Sequence, residues 1–564
     1  MTTLAVEGRR DVHEVIEPSH RSAAPRARWA AVLDRLTTIA PPIVWILAIG
    51  AGVLVVLATI DGAGISWDSI AYVQSGINLV DSHRYTGLGG GPITAFPPGM
   101  AMISGAFHIL GIAPASGFRF LDAALAGVII VLSWRLLVRI PAPPTFRVVA
   151  ITFIAVSPVL LAVESMVWSE PLFIAITLGF LVLAGRVIER RELDWSSIVA
   201  LSGLGWAAFG VRYIGLVLIP TGVVVLLVAR WRPTRRDLTM VVAFAALSSI
   251  GPMVWMLRNR TVDGTLTGPR DVSTDSVGSI LESVMSTIGR WADSATSLTR
   301  SDPTRFGVAV VIVLIGVFTA AVTIAIRRHD RAFATSIIPS AVFGIGYAAY
   351  LFAAKVTTFL DPIDTRLLSP IFVPLVVVTT AALARITTSV VPARESSRSS
   401  TISTISTILT GIAGIALAAT LGFTIRDIAR GDIRSMDFNT ARWRDSELAR
   451  ATLSVVDGTD TRVTTNAVPG LWVATGLGRI IVMPLAIDWR GEIPTGEVAK
   501  VTRNVNCADV PLVLALYDEG SETTIPLEAL GSIARFTAIG SFADGTIYRV
   551  EPHDGSPDRT MCRS

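Results

Sequence analysis

Asp68 and Tyr72 stand four residues apart in the run Trp67-Asp68-Ser69-Ile70-Ala71-Tyr72. On a helix this spacing puts both side chains on one face. A carboxylate held at a bilayer surface and only partly solvated can accept the proton of a hydroxyl brought to it. Asp61 and Glu170 are further acids able to take that part. A second set of residues is cationic: Arg212, Arg258, Arg260, Arg270, Lys355 and Arg366. A guanidinium grips a phosphate through paired donors, and an ammonium acts as a point charge. Lys355 stands out because, of the 48 Lys and Arg residues, only Lys355 and Lys500 are lysine. Arg258, Arg270, Lys355 and Arg366 are the candidate phosphate ligands, and Tyr72 and Arg84 the candidate substrate contacts. Arg212 is a candidate tie to Glu164 or Glu170. Asp122 and Glu164 lie inside or beside apolar runs, where a carboxylate is costly. Trp67, Trp168 and Trp255 read as members of an interfacial aromatic belt. The triplet Gly89-Gly90-Gly91 is not a phosphate cradle, because no Walker-type lysine or strand–helix context surrounds it.

The elements that must position these residues are apolar. Half of the 564 residues, 51%, are hydrophobic and 16% are charged, where a soluble domain carries about 25%. Mean hydropathy is +0.59. These values exclude a disordered chain, a collagen, a coiled coil and a broad basic nucleic-acid face. Apolar runs of about 20 residues recur, as in a polytopic membrane protein. They predict about eleven spans, at 40–60, 118–139, 147–166, 171–188, 196–211, 214–231, 238–257, 306–326, 333–353, 367–385 and 404–424. The arginine-rich residues 1–39 show no cleavable signal pattern and read as a cytoplasmic tail. Phe96–Ile112 is long enough for a short span. Read as a surface segment instead, it leaves Arg135, Arg139 and Arg147 and every later basic cluster on the cytoplasmic side.

The expected organisation is therefore a basic tail 1–39, a transmembrane domain 40–424 with outer loops 61–117 and 258–305, and an extracytoplasmic domain 425–564. Residues 394–407 read as a linker. The last domain mixes strand-like runs (Arg479–Leu485, Val510–Tyr517, Thr546–Val550) with helix-like ones (Arg442–Val456, Ile525–Phe536), an α/β pattern. Placed outside, Cys507 and Cys562 are expected to pair, with two free buried thiols as the alternative. No Cys/His cluster marks a zinc or iron–sulfur site.

These motifs resemble those of the GT-C superfamily of membrane glycosyltransferases, the group that holds protein O-mannosyltransferases and the lipid A aminoarabinose transferase. The matching residues begin with Asp68-Ser69-Ile70-Ala71-Tyr72, Ser75 to Leu79 and Phe96-Pro97-Pro98-Gly99. Trp168-Ser169-Glu170-Pro171 and Arg258-Asn259 with Gly264 and Gly268-Pro269-Arg270 follow. Asp364-Thr365-Arg366, Thr465-Asn466-Ala467-Val468-Pro469 and Thr475-Gly476 complete the set. The family's second acid is replaced by Ser69, which leaves Asp61 or Glu170 to substitute. The preference for arginine over lysine, with abundant Ala and Val, suggests a GC-rich genome such as an actinobacterium's.

The resemblance implies an α-helical polytopic fold and an inverting transfer of a sugar from a polyprenyl-phosphate donor, on the outer face of the cell membrane. The acceptor would be an envelope glycan, lipid or protein, and Asp68 the base. It leaves open a divalent cation, magnesium or manganese, at Asp68. A flippase of lipid-linked sugars and an inactive envelope-assembly scaffold are the alternative readings.

Overall fold

The computed structural model describes residues 41–230, 232–270, 272–291, 302–390, 414, 416–431, 437–456, 461–478, 480–482, 497–507, 510–519 and 524–553. The basic tail 1–39, the linker 394–407 and Cys562 lie outside the described residues. Cys507 is disulfide-bonded.

Helices follow where apolar runs are opened by caps or prolines. They are α1 (Pro42–Ala58), α2 (Trp67–Asp81), α3 (Gly99–Ile109), α4 (Pro114–Leu137), α5 (Pro144–Ala155), α6 (Pro158–Glu164), α7 (Glu170–Arg190) and α8 (Trp195–Val211). A 3₁₀ turn, Tyr213–Val217, leads into α9 (Leu218–Ala229), then α10 (Arg235–Asp263), α11 (Val277–Arg290), α12 (Pro303–Arg327), α13 (Arg331–Thr357) and α14 (Thr365–Val390). Residues 416–430 form α15. Among the described residues seven helical stretches are long and apolar enough to cross a membrane, and α1, α3, α8 and Tyr213–Ala229 are shorter apolar ones. The run predicted as one span at 147–166 bends between α5 and α6, because Pro158 cannot continue the ladder and takes the first helical position of α6.

α3 covers only 11 residues, about 16 Å at 1.5 Å per residue, too short to cross a bilayer core. It lies against α2 instead. A Cβ at Gly76 would come within 2.5 Å of the Ala101 carbonyl, so glycine is what lets the two helices approach. At the helix ends away from these segments, the arginines are tied to nearby acids: Arg139–Glu189 at 2.9 Å, Arg230–Asp237 at 3.2 Å and Arg385–Asp330 at 3.0 Å.

The C-terminal part holds α16 (Ala441–Arg444), α17 (Glu447–Val456), α18 (Val468–Thr475) and α19 (Glu497–Asn506). With them is a sheet of β1 (Arg462–Thr465), β2 (Ile480–Val482), β3 (Leu512–Tyr517), β4 (Ala534–Phe542) and β5 (Gly545–Pro552). The strand order is β2-β1-β3-β5-β4. β2, β1 and β3 run parallel, while β5 and β4 are antiparallel to their neighbours. Alternate residues of β3 face opposite ways. Val513 and Ala515 join one core with Leu448 and Leu471, and Leu512 and Leu514 join another with Val505 and Leu530.

The run Ile525–Phe536, expected to be helical, is instead a 3₁₀ turn at Leu527–Leu530 leading into β4. Phe536 pairs with Val550 across the hairpin, so the β5 partner overrides the local helical spacing. No local alternation marks β1, a short run of four residues that its parallel neighbours β2 and β3 hold as a strand. The domain is joined to the segment after α1 by backbone and side-chain bonds. Phe438 N donates to the Ile65 carbonyl (2.9 Å), Ile65 N to Asp437 Oδ1 (2.9 Å) and Asn439 Nδ2 to the Ala63 carbonyl (2.9 Å).

Candidate active site

Asp68 enters the site in the first turn of α2. Ser69 shapes that turn: its Oγ accepts from Ser66 N (2.9 Å) and donates to the Val167 carbonyl (2.9 Å). Ser69 is fully buried. Position 69 is therefore a hydroxyl that closes the start of α2 and ties it to the segment before α7. It is not among the residues lining the cavity that Asp68 enters.

Glu170 opens α7, preceded by Trp168 and Ser169. Arg366 lies in the first turn of α14, which Asp364 opens by accepting from Leu367 N at 3.0 Å. A cation at a helix N-terminus opposes the helix dipole, so it needs acids beside it. Arg366 has both: its Nη2 donates to Asp68 and its Nε to Glu170 Oε1 at 2.8 Å. The same Glu170 oxygen accepts from Arg212, whose Nη1 also donates to Ser169 Oγ at 2.8 Å. Two acids and two arginines thus alternate in one chain: Asp68, Arg366, Glu170, Arg212. Glu170 is at 0% exposure and Asp68 at 28% for the side chain. Glu170 is the buried brace, and Asp68 is the acid that reaches open space. The pairing of Arg212 with Glu170 meets one of its two expected ties.

Trp168 stands behind this chain and not in an interfacial belt. It is buried, its Nε1 donates to Ser66 Oγ (2.8 Å), and its ring lies 4.7 Å from the Arg366 guanidinium carbon. Tyr72 is buried one turn along α2 from Asp68, with its hydroxyl 3.5 Å from Ser169 Oγ. Burial, and after it the Asp68 charge, hold that phenol above its usual range, so it remains a neutral hydroxyl.

Asp68, Tyr72, Arg212, Arg270 and Arg366 line one cavity of about 630 Å³. Its other walls are largely apolar, from Phe96, Pro97, Tyr347 and Leu351 among others. Arg270 is delivered to it by the loop after α10. Asn259 is buried and its Nδ2 donates to the Leu266 carbonyl (2.9 Å) and Tyr213 Oη (2.8 Å). Gly268, at φ +89°, lets the loop pack on Ala95, where a Cβ would meet the Ala95 Cα at 2.7 Å. Arg270 is exposed and makes no side-chain hydrogen bond or ion pair with a described residue. Asp361 borders the same cavity. The protein packed around it, and next the Asp68 charge, hold its carboxyl above the usual carboxylate range.

The remaining candidates lie elsewhere. Lys355 is 2% exposed and forms an ion pair with Asp275 at 2.6 Å while donating to the Leu360 carbonyl. Arg258 donates to the Ile93 carbonyl (2.7 Å) and stacks on Trp255 at 4.9 Å and Tyr85 at 5.6 Å. Trp255 is thus a partner of Arg258 and not only of the membrane interface. Asp61 is an exposed residue facing Arg444 at 3.8 Å, outside the cavity lining. Arg84 lines a different cleft. Among the described residues no group of three or more His, Cys, Asp or Glu is placed to hold a metal ion.

Sequence reasoning did not single out Ser169 or Asp361. Ser169 adjoins Glu170 in the quoted motif, whereas nothing in the local sequence marks Asp361. In the tail, Asn466 locks β3: Tyr517 N donates to its Oδ1 and its Nδ2 donates to the Tyr517 carbonyl, both at 2.9 Å.

No family model matches the chain, and no curated protein sequence does. Solved structures do. The crystal structure of ArnT from Cupriavidus metallidurans bound to undecaprenyl phosphate superposes with a TM-score of 0.53 at 12% identity, covering 89% of this chain and 97% of that one. Its apo form gives 0.52 at 11% identity, over 94% and 99% of the two chains. The arabinofuranosyltransferase AftD from Mycobacteria gives 0.51 at 14% identity, over 90% of this chain, which spans 40% of AftD. At these identities the likeness is one of fold.

Proposed function

Starting from a chain with the GT-C fold and multiple membrane-spanning helices, we propose that it is a glycosyltransferase. It moves a sugar from a polyprenyl-phosphate donor to an envelope acceptor on the outer face of the cytoplasmic membrane. One observation carries this reading: a partly open carboxylate, Asp68, and a cationic wall, Arg366 and Arg270, share one cavity at the ends of apolar helices. The similarity to ArnT, a structure that holds undecaprenyl phosphate, supports it.

The donor's phosphate binds at Arg270, whose guanidinium is uncommitted, and draws on Arg366. The acceptor hydroxyl comes to Asp68. As its oxygen bonds to the anomeric carbon, the proton passes to the Asp68 carboxylate. The bond from that carbon to the phosphate oxygen breaks, and polyprenyl phosphate leaves with its new charge facing the arginines. Attack from the face opposite the leaving group inverts the anomeric configuration. Glu170, sealed between Arg212 and Arg366, fixes the Arg366 fork. Tyr72, a neutral phenol, fills the floor beside Asp68.

The test is transfer by the purified full-length protein in nanodiscs, with a panel of radiolabelled polyprenyl-phosphate sugars and an envelope extract as acceptor. Wild type is expected to transfer one of them, and Asp68→Asn to lose roughly 10²–10⁴-fold of that rate. Equal rates in both proteins would remove Asp68 from its role. No transfer from any donor by wild type would overturn the enzyme reading.

A further inference from the structure

A second cleft, of about 940 Å³, opens between α2 with the loop after it and the C-terminal sheet. Its lining has a consistent chemistry. Gln74, Asn78, Ser82 and Thr86 contribute neutral polar groups, and Gly89, Gly90 and Gly478 contribute bare backbone. Two cations face it, Arg84 from the loop and Arg462 from β1. Neither guanidinium makes a hydrogen bond or ion pair with a described residue, and no carboxylate is among the described residues of the lining.

The walls are pre-organised. Asn78 Nδ2 donates to the Thr86 and Gly87 carbonyls at 3.0 and 3.1 Å. Gln74 bridges the two sides: its Nε2 donates to Asn78 Oδ1 (2.9 Å), and its Oε1 accepts from Trp472 Nε1 of α18 (3.1 Å). Gly89, at φ +82°, forms the turn whose N–H reaches the Gly478 carbonyl at 3.2 Å.

We propose that this cleft binds an anionic saccharide, one bearing carboxylate or phosphate groups, and that this is the acceptor class. The second half of the statement rests on the transferase reading; the binding does not. Two guanidiniums with no hydrogen-bond or ion-pair partner and no carboxylate beside them among the described residues of the lining select a negative charge. Neutral amides, hydroxyls and backbone groups suit sugar hydroxyls. The cleft also shares α2 with the cavity. Asp68 lies ten positions before Asn78, about 15 Å along the helix axis, so a chain held in the cleft can present its end at the base.

The experiment measures binding by the full-length protein in zwitterionic-lipid nanodiscs. The probes are an oligogalacturonate, a phosphorylated mannan fragment and a neutral maltopentaose. The expected result is that at least one anionic probe binds and the neutral one is much weaker. Arg84→Gln and Arg462→Gln should each weaken binding about tenfold, and Arg462→Glu should abolish it. Neither arginine has a side-chain partner among the described residues, so melting temperatures should stay at the wild-type value and report on folding. Failure of both anionic probes to bind, equal binding of the neutral one, or affinities unchanged in the arginine variants would overturn the proposal. So would loss of saccharide binding caused merely by adding anionic lipid to the disc, which would assign the charge preference to a headgroup. If saccharide binding depends on both arginines while no donor supports transfer, the binding site stands and the transferase reading falls.

Discussion

The Arg366 guanidinium donates to the Asp68 carboxylate across 298 residues of chain. In this arrangement the acid and its nearest cation hold each other. Arg366 cannot leave altogether, since Glu170 retains its Nε at 2.8 Å.

Glu170→Gln tests that brace. Glu170 is fully buried and bonded to two arginines. Removing its charge leaves Arg212 and Arg366 facing each other, and breaking a buried ion pair in this way costs on the order of 3–5 kcal/mol. Thermal unfolding in detergent should show a clear loss of stability. A melting temperature equal to wild type would mean that Glu170 is not the brace.

Ser69→Asp would place a second acid beside Asp68 without speeding transfer. A carboxylate there would face the Val167 carbonyl, to which the serine now donates. It should lower the melting temperature and leave transfer no faster. Ser69→Ala loses both the bond from Ser66 N and the bond to the Val167 carbonyl and should cost about 1–3 kcal/mol. A faster Ser69→Asp enzyme would contradict the structural role assigned to this hydroxyl.

Lys355 and Asp275 are separable by a double-mutant cycle. Lys355→Met alone takes from Asp275 its ion-pair partner at 2.6 Å and should destabilise the protein. Lys355→Met combined with Asp275→Leu should recover much of that loss. If Lys355 binds donor phosphate directly, the double variant will be stable and yet still fail to bind donor. Donor binding retained in the double variant would confine Lys355 to holding the loop.

Asp361 gives a pH dependence with a definite sign. Its folded carboxyl is held above the usual range by burial and by Asp68. Its contribution to stability is therefore fully present below the unfolded pKa, about 3.9, and is lost as pH rises through the raised folded value. Asp361→Asn should match wild type near pH 3 and be the more stable of the two at pH 7. Melting curves at both pH values decide this, and an Asn variant less stable at pH 7 would reverse the sign.

The apolar runs, their arginine-capped ends and the proline-marked starts were legible in the sequence, because a helix in lipid must satisfy its own backbone and so writes its length into composition. The polytopic helical fold and the α/β tail followed from those local signals. The resemblance pointed to the motif residues Asp68, Glu170 and Arg366, and the apolar run before Arg212 marked it as a partner for an acid. What these groups do to one another did not follow. Lys355 and Arg366 look alike as cations near helix ends, but one is closed off by Asp275 while the other spans Asp68 and Glu170 in an open cavity. Trp168 and Arg258 were placed by partners that lie far along the chain. Ile525–Phe536 became a turn and a strand because β5 offered a partner. Local spacing determines which face a side chain takes. Whether that face meets solvent, lipid, an opposite charge or a cavity is set by elements hundreds of residues away, and only the packed structure brings those together.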